Sequence, residues 1–267
     1  MTTLILVAQT LLATLALCSP SGETKAGEPQ LSILQPVLIP VGSNAGGRLL
    51  SRADSPATSH VFTANLSGVG IRELTGNLDF GLVAATFNVP QTTIPTDDAS
   101  GEALVIPLIG IDFFDCPTVA FAGVQIFVMS DGVRYLPFYQ WGSDIISGFD
   151  NVDVAAGDEV SFVVLITSRT TGIFTITKAS NFQSQVIQVS APHAPLCLSS
   201  AGWFVDGPTS VTIANFSEVV FDAPSAILNG RLFSTESSGA FVADIERNVT
   251  FTETTVTALD VTVKYVH

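Results

Sequence analysis

Charged residues are scarce in this chain, and basic residues are the scarcest. Only 13% of the 267 residues are charged, and ten bases against 24 acids give a formal net charge of −14. A negative field repels phosphate, which argues against nucleic acid as a partner. Hydrophobic residues make up 47% of the chain, enough for one substantial core. The balance suits an acidic or extracellular environment, where many carboxylates are neutral.

Several kinds of active site lack their usual residues here. The three histidines, His60, His193 and His267, are scattered, and the three cysteines show no zinc-ligand spacing. No G-x-S-x-G, Walker or dinucleotide-binding glycine pattern occurs, and neither Asp-Thr-Gly nor Asp-Ser-Gly is present. We therefore expect no metal and no cofactor. Carboxylate and amide side chains remain as the available chemistry.

No apolar run is long enough to cross a bilayer. Residues 3–17 form the longest one, shorter than the roughly 20 residues that a spanning helix needs. Its length suits the core of a signal peptide, and Ala16 and Cys18 are small residues before a cut after position 18. No Lys or Arg precedes the run. We predict a signal peptide at residues 1–18 and a secreted, extracellular protein without a membrane span; the alternative is a buried N-terminal helix.

Turn-forming residues dominate residues 19–62, without sustained periodicity. Two interpretations are equally supported, a removable pro-segment and a disordered linker. We predict that the folded domain occupies residues 63–267, with its start near Phe62 to Leu66, and that the protein is a monomer.

Removal of the signal peptide takes Cys18 and leaves Cys116 and Cys197. An even pair in an oxidising compartment favours one disulfide, and two separate buried thiols are the alternative because sequence spacing does not show proximity. Entry into a secretory pathway would also make three N-x-S/T sites available for glycosylation. These sites are Asn65, Asn215 and Asn248.

Short β-type runs separated by turn signals fill the remainder, and no convincing amphipathic helix occurs. Residues 160–166 are apolar on both faces, which is typical of a central strand covered on both sides. In the closing run, Leu259, Val261, Val263 and Tyr265 share one face. Many strands without helices predict a sandwich or barrel, and the length favours two packed sheets. The remaining runs are 83–89, 103–109, 173–177, 186–189, 203–205, 219–221 and 249–256.

Residues 116–141 read as a complete β-hairpin. Two runs rich in Val, Phe and Tyr flank Ser130-Asp131-Gly132, and Asp-Gly is typical of a tight primed turn. Because side chains alternate along a strand, Phe121, Gly123 and Gln125 share one face. Gln125 and the Gln140-Trp141 pair would place amide groups in or beside a groove.

Two segments, Phe138-Tyr-Gln-Trp141 and Trp203-Phe-Val-Asp206, occur in this order along the chain. They are similar to the motifs W-Y-E-W and W-I-V-E, and, taken in order with other segments, they resemble the fungal glutamic peptidases, also called the eqolisin or peptidase G1 family. The resemblance extends from about residue 65 to 223. Other matching segments are 83–90, 110–112, 155–160, 167–172, 196–197 and 214–221.

The resemblance implies a lectin-like jelly roll, that is, an all-β, antiparallel two-sheet β-sandwich. It also implies that Cys116 and Cys197 are bonded. The family uses a catalytic Gln and Glu, and those positions hold Phe121 and Asp206 here. The Glu of W-Y-E-W becomes Gln140, and a Trp of the family becomes Leu108.

These substitutions change the chemistry, because the family mechanism needs a carboxylate to take a proton from water and an amide to hold the oxyanion. Phe121 has no hydrogen-bond donor. We predict that any catalysis uses Asp206 as base, Gln140 as replacement donor and Asp112 as supporting carboxylate. Gln125, about 13 Å along the strand from Phe121, is the less favoured donor.

Two functions follow as hypotheses. The first is an acid endopeptidase, or a divergent descendant with weak or lost activity, that acts on polypeptides. The second is a non-catalytic extracellular or cell-surface protein whose groove binds a peptide or carbohydrate.

Overall fold

The protein is described from a computed structural model over residues 59–72, 79–96, 100–114, 116–143, 145–233, 235 and 239–267. All regular elements in these ranges are β-strands. They are β1 (Ser59–Thr63), β2 (Leu66–Arg72), β3 (Phe80–Asn88), β4 (Glu102–Ile111), β5 (Ala120–Met129), β6 (Gly132–Trp141), β7 (Ile145–Gly148), β8 (Glu159–Ser168), β9 (Thr171–Lys178), β10 (Ser184–Ser190), β11 (Ser200–Asp206), β12 (Thr212–Ile213), β13 (Glu218–Leu228), β14 (Arg231–Phe233), β15 (Ala240–Ile245), β16 (Thr252–Val256) and β17 (Asp260–Tyr265). No helix within these ranges has the length and hydropathy that crossing a membrane requires.

The strands form two sheets. The first has nine strands in the order β1-β15-β2-β11-β4-β5-β6-β7, with β12 beside β4. The second has eight, in the order β10-β9-β8-β3-β13-β17-β16, with β14 beside β13. All neighbours are antiparallel except two pairs, β1 with β15 and β12 with β4. The predicted all-β, two-sheet β-sandwich is confirmed, and these two parallel pairs are the departure from a purely antiparallel arrangement.

A large apolar core lies between the sheets. It includes Trp203 from the nine-stranded sheet and Phe87 and Phe162 from the other, all fully buried. The indole N–H of Trp203 donates to the carbonyl of Ala84 at 2.9 Å. This bond joins the two sheets and satisfies the one polar group that the ring brings into the core.

The hairpin prediction is confirmed, with β5 and β6 pairing from Ala120 opposite Trp141 to Met129 opposite Gly132. Its turn differs from the expected primed type. Neither Ser130 nor Asp131 has a positive φ, whereas Gly132 does, at 139°. The glycine therefore provides the backbone freedom just after the turn rather than within it.

Two strand expectations need correction. In β8, Ser161, Val163 and Leu165 are only half-buried, because their face points away from the core, so the strand is central without being covered on both sides. In the closing run, Leu259 lies before β17 and is 75% exposed, whereas Val261 and Val263 are fully buried.

The predicted signal peptide and residues 19–58 of the predicted pro-segment or linker lie outside the described residues. Residues 59–62, at the end of that segment, belong to β1 and pair with β15. The described part of the sandwich thus includes a few residues before position 63.

Candidate active site

The candidate site lies on the outer face of the nine-stranded sheet, opposite the core between the sheets. Because side chains alternate along each strand, Asp206 shares this face with Phe204 on β11, and Gln125 shares it with Phe121 on β5. Apolar side chains on the same face form a second buried cluster. Functional side chains here are therefore set in a largely apolar surface.

Asp206 is the last residue of β11, with Leu66 of β2 on one side and Ile106 of β4 on the other. The residue is 2% exposed. The Nδ2 of Asn65 donates to one carboxylate oxygen at 3.0 Å, and the other oxygen has no hydrogen-bond partner among the described residues. One oxygen is therefore held while the other is available for a water or a ligand.

Burial raises the pKa of Asp206 from 3.8 to about 7. The hydrogen bond from Asn65 and the positive charge of Arg247 oppose this rise without cancelling it. An acid with such a pKa is neutral across pH 2 to 5. It can donate a proton there, but it cannot act as a base until the pH approaches 7.

Arg247 joins the two segments that contain Asn65 and Asp206. Its Nε donates to the carbonyl of Ala64 at 2.9 Å and its Nη2 to that of Gly207 at 2.5 Å. These are the residues next to Asn65 and Asp206 in sequence. The backbone N–H of Gly207 also donates to the carbonyl of Asn65, at 2.8 Å.

A polar cleft of about 430 Å³ adjoins Arg247. Most of its lining side chains carry a hydroxyl, and Glu102 is its one acid. A cleft of this composition offers several donors and acceptors to a polar ligand. The lining residues are Ser100, Glu102, Thr209, Ser210, Val211, Thr212 and Arg247.

Gln140 lies near the end of β6, opposite Phe121, and is 3% exposed. Its Nε2 donates to the carbonyl of Gly142 at 2.7 Å, and its Oε1 has no partner among the described residues. Strand pairing puts Gln140 in line with Gly202, three strands away, and thus about 14 Å across the sheet and about 13 Å along it from Asp206. The structure does not bring these two predicted site residues together.

Asp112 follows β4 and also lies away from Asp206. Its carboxylate accepts backbone N–H groups from Cys197, Leu198 and Ser199 at 2.7 to 2.8 Å, and the Ser199 hydroxyl at 3.1 Å. Burial raises its pKa, and these four bonds oppose the rise. Both oxygens are occupied in fixing this turn, so a supporting role for Asp112 in catalysis stays a prediction.

The predicted disulfide between Cys116 and Cys197 is confirmed and lies beside this turn, with the Cα atoms 5.9 Å apart. The two sulfurs and Asp112 lie close enough to suggest a metal site. Both sulfurs are in the disulfide, however, and the carboxylate is fully bonded, so this group lacks the free thiolates that a metal would need.

Phenylalanine rings cover the part of the outer face around Phe121, which is 1% exposed. Phe121 contacts Phe113 and Phe138, with ring centroids 6.0 and 5.7 Å apart, and Phe113 contacts Phe204 at 5.1 Å. We call this group the aromatic cluster. Its members are Phe113, Phe114, Phe121, Phe138, Phe204 and Phe241.

Glycine makes room for these rings. A Cβ at Gly202 would clash with the ring of Phe204, and one at Gly70 with the ring of Phe241. The rings lie against bare backbone, which fixes their positions. The aromatic cluster therefore occupies the space between Gln140 and Asp206 in which a shared water would have to lie.

Two residues that the structure places at Asp206 do not stand out in the sequence as site residues. Asn65 is marked there only by its glycosylation motif, and Arg247 is marked by nothing. No local pattern marks Arg247, since its contacts are to residues 40 and 183 positions away.

Comparison with known proteins gives a consistent result. The model of the Peptidase A4 family matches residues 64–265. Aspergillopepsin-2 from Aspergillus niger is 26% identical over 283 residues, covering 96% of each chain. The crystal structure of Scytalido-glutamic peptidase with a peptide-based transition state analog matches at a TM-score of 0.65 and 24% identity, over 76% of this chain and 98% of that one. SCP-B, an eqolisin-family peptidase in complex with the tripeptide Ala-Ile-His, matches at 0.62 and 25% identity, over 76% and 98%. The resemblance found in the sequence is thus confirmed, and the chain belongs to the Peptidase A4 family of glutamic peptidases.

Proposed function

We propose that this protein is a secreted, extracellular member of the family that binds polypeptides along the outer face of the nine-stranded sheet, with weak or absent acid endopeptidase activity. The observation that carries the proposal is the burial of Phe121 in the aromatic cluster, at the position where the family has its catalytic amide. A phenyl ring cannot stabilise an oxyanion by hydrogen bonding.

The state of Asp206 supports the same conclusion. Its shorter side chain withdraws the carboxyl group by about 1 Å, which can cost about 10² in rate. Loss of the oxyanion donor costs a further 10² to 10³. Burial also keeps the acid neutral at the pH of an acid peptidase, because its pKa is about 7. Gln140, the predicted replacement donor, lies beyond the reach of Asp206 in this structure.

Secretion is supported by the apolar run at residues 3–17 and by the disulfide, which is typical of oxidising compartments. The net charge of −14 continues to argue against a nucleic-acid partner. We also propose that the protein is a monomer.

A second candidate function is a non-catalytic extracellular or cell-surface protein that binds a peptide or carbohydrate. The hydroxyl-lined cleft beside Arg247 favours it, because hydroxyl groups with one acidic and one basic side chain suit a polar ligand.

The test is a cleavage assay of the matured protein on a peptide library at pH 2 to 8, with Aspergillopepsin-2 as comparator. We expect cleavage at acid pH at least about 10³-fold slower than that of the comparator, alongside measurable peptide binding by calorimetry. Asp206→Asn is the variant that identifies the site. Cleavage at the comparator's rate that is lost in Asp206→Asn would overturn the proposal of weak activity. Absence of peptide binding would overturn the first function and leave only carbohydrate binding from the second.

A further inference from the structure

A second glutamine of the outer face lies closer to Asp206 than Gln140 does. The pairs of β4 with β5, Val105 opposite Ile126 and Leu108 opposite Gly123, place Ile106 opposite Gln125 by the same register. Ile106 is also the partner of Asp206 on β11. Asp206, Ile106 and Gln125 therefore form one row across three neighbouring strands.

The three side chains of this row point to the same face, because directly opposed residues of antiparallel strands do so. Two strand spacings separate the Cα atoms of Asp206 and Gln125, about 10 Å. An extended Gln reaches about 5 Å from its Cα and an Asp about 3.5 Å. Together they can approach hydrogen-bonding distance of one oxygen atom held above Ile106.

The amide of Gln125 has no assigned contact. The residue is 1% exposed, its Oε1 has no hydrogen-bond partner, and no described residue accepts a hydrogen bond from its Nε2. A buried polar group left without a partner costs about 1 to 3 kcal/mol. Such a group calls for a bound water or ligand. Gln140, by contrast, already donates its Nε2 to the carbonyl of Gly142.

The surroundings of the two glutamines also favour Gln125 over Gln140 as the donor. Gln140 faces Phe121 of the aromatic cluster, whereas Gln125 has Gly123, which has no side chain, on one side along its strand and Phe127 on the other. The free oxygen of Asp206 and the free amide of Gln125 thus occur in one row, next to the position where Gly123 leaves out a side chain.

We propose that Gln125 supplies the amide, with Asp206 as its partner, for the weak cleavage of a peptide bound to the outer face. This inference rests on the proposed function, since it requires a polypeptide at that face. In the step assigned to the pair, a water oxygen bonds to the peptide carbonyl carbon while ionised Asp206 takes the proton. The carbonyl electron pair moves to its oxygen, which Gln125 holds through Nε2–H. The electron pair on that oxygen then re-forms the C=O bond as the C–N bond breaks, the C–N pair stays on nitrogen, and the proton passes from Asp206 to this leaving amine.

Two peptides of the same sequence provide the test. One has a normal scissile amide, and the other has a tetrahedral phosphinate in its place. Their affinities are measured by calorimetry for the wild type, Gln125→Leu and Gln140→Leu. Gln188→Leu, an exposed change on β10 in the other sheet, is the control.

We expect Gln125→Leu to weaken binding of the phosphinate peptide by about 10², while the affinity for the normal peptide changes by less than about threefold. Preserved phosphinate affinity in Gln125→Leu would overturn the proposal. Loss of phosphinate affinity in Gln140→Leu alone would do so too, and would restore Gln140 as the donor.

A second measurement needs no ligand and no folded variant of Gln125. The side-chain amide signals of Gln125 are followed by NMR in the wild-type protein from pH 4 to 8. We expect them to shift together with the titration of Asp206 and to lose this shift in Asp206→Asn. If the signals are insensitive to pH, Gln125 does not sense Asp206 and the inference is wrong. Failure of both peptides to bind, with the shared titration intact, would instead count against the proposed function.

Discussion

Replacing Asp206 by Asn should remove a loss of stability that this protein suffers as pH rises. The change removes one ionisable group from a buried position and keeps an oxygen that can accept from Asn65. The wild-type carboxyl has its pKa raised by burial from 3.8 to about 7. Folding therefore favours the protonated form of this acid.

The sign of the pH effect on stability follows from the raised pKa of Asp206. Below pH 4 both folded and unfolded chains carry a protonated Asp206, and its burial has no ionisation cost. Between about pH 4 and 7 the unfolded chain ionises first, so the folded state loses stability as pH rises, and above pH 7 the loss is complete. The rise in pKa from 3.8 to about 7 corresponds to on the order of 4 kcal/mol. The variant, which cannot ionise, should avoid this loss.

Urea unfolding, followed by tryptophan fluorescence at pH 4 to 8, measures the effect. The unfolding free energy of Asp206→Asn relative to wild type should rise by on the order of 4 kcal/mol between pH 4 and pH 8. Asp131→Asn is the control, because it makes the same chemical change at a side chain that is 66% exposed. A difference between Asp206→Asn and wild type that stays constant with pH would show that Asp206 is already ionised in acid, and our account of a neutral carboxyl would be refuted.

Three other perturbations have defined outcomes. Changing Cys116 and Cys197 to Ser removes a disulfide that joins residues 81 positions apart. The free energy of unfolding in urea should fall by about 4 to 5 kcal/mol, because the unfolded chain gains freedom. An unchanged unfolding midpoint would contradict this. Asp112→Asn should cost about 3 kcal/mol and speed hydrogen exchange at residues 197–199, since charge-assisted bonds are lost, whereas the φ of 69° is one that Asn accepts. Gly202→Ala should cost about 1 to 3 kcal/mol by displacing the ring of Phe204, whereas Gly81→Ala, with open space at its Cβ, should not show that cost.

The hairpin of β5 and β6 could be predicted from the sequence because its register depends on a short local turn. The disulfide between Cys116 and Cys197 could be predicted from the oxidising compartment and from the resemblance. The resemblance also identified Asp206 as the candidate base. Strand β2 was missed because its sequence, L-S-G-V-G-I-R, contains two glycines that weaken any β pattern. Gly70 is needed because the ring of Phe241 lies against it, and Gly68 because its φ is 143° and the backbone of β11 occupies the place of a Cβ.

The partner of Asp206 could not be predicted in the same way. The position of Gln125 depends on how β4 pairs with β5 on one side and with β11 on the other, and β11 lies about 90 residues further along the chain. A one-residue change in either register would move Gln125 to the opposite face. Resemblance pointed to Gln140 instead, because motif matching compares positions along one strand and contains no information on distances across a sheet.

The nitrogen of Asn65 that donates to Asp206 is the atom to which a sugar would be attached in the Asn65-Leu-Ser glycosylation site. Asn248, in contrast, is exposed between β15 and β16. The choice of expression host therefore matters for any measurement on this protein. Bacterial material retains the free amide beside Asp206, whereas a host that glycosylates Asn65 yields a molecule with a sugar at its candidate active site, and the two preparations should be compared by mass spectrometry before their activities are.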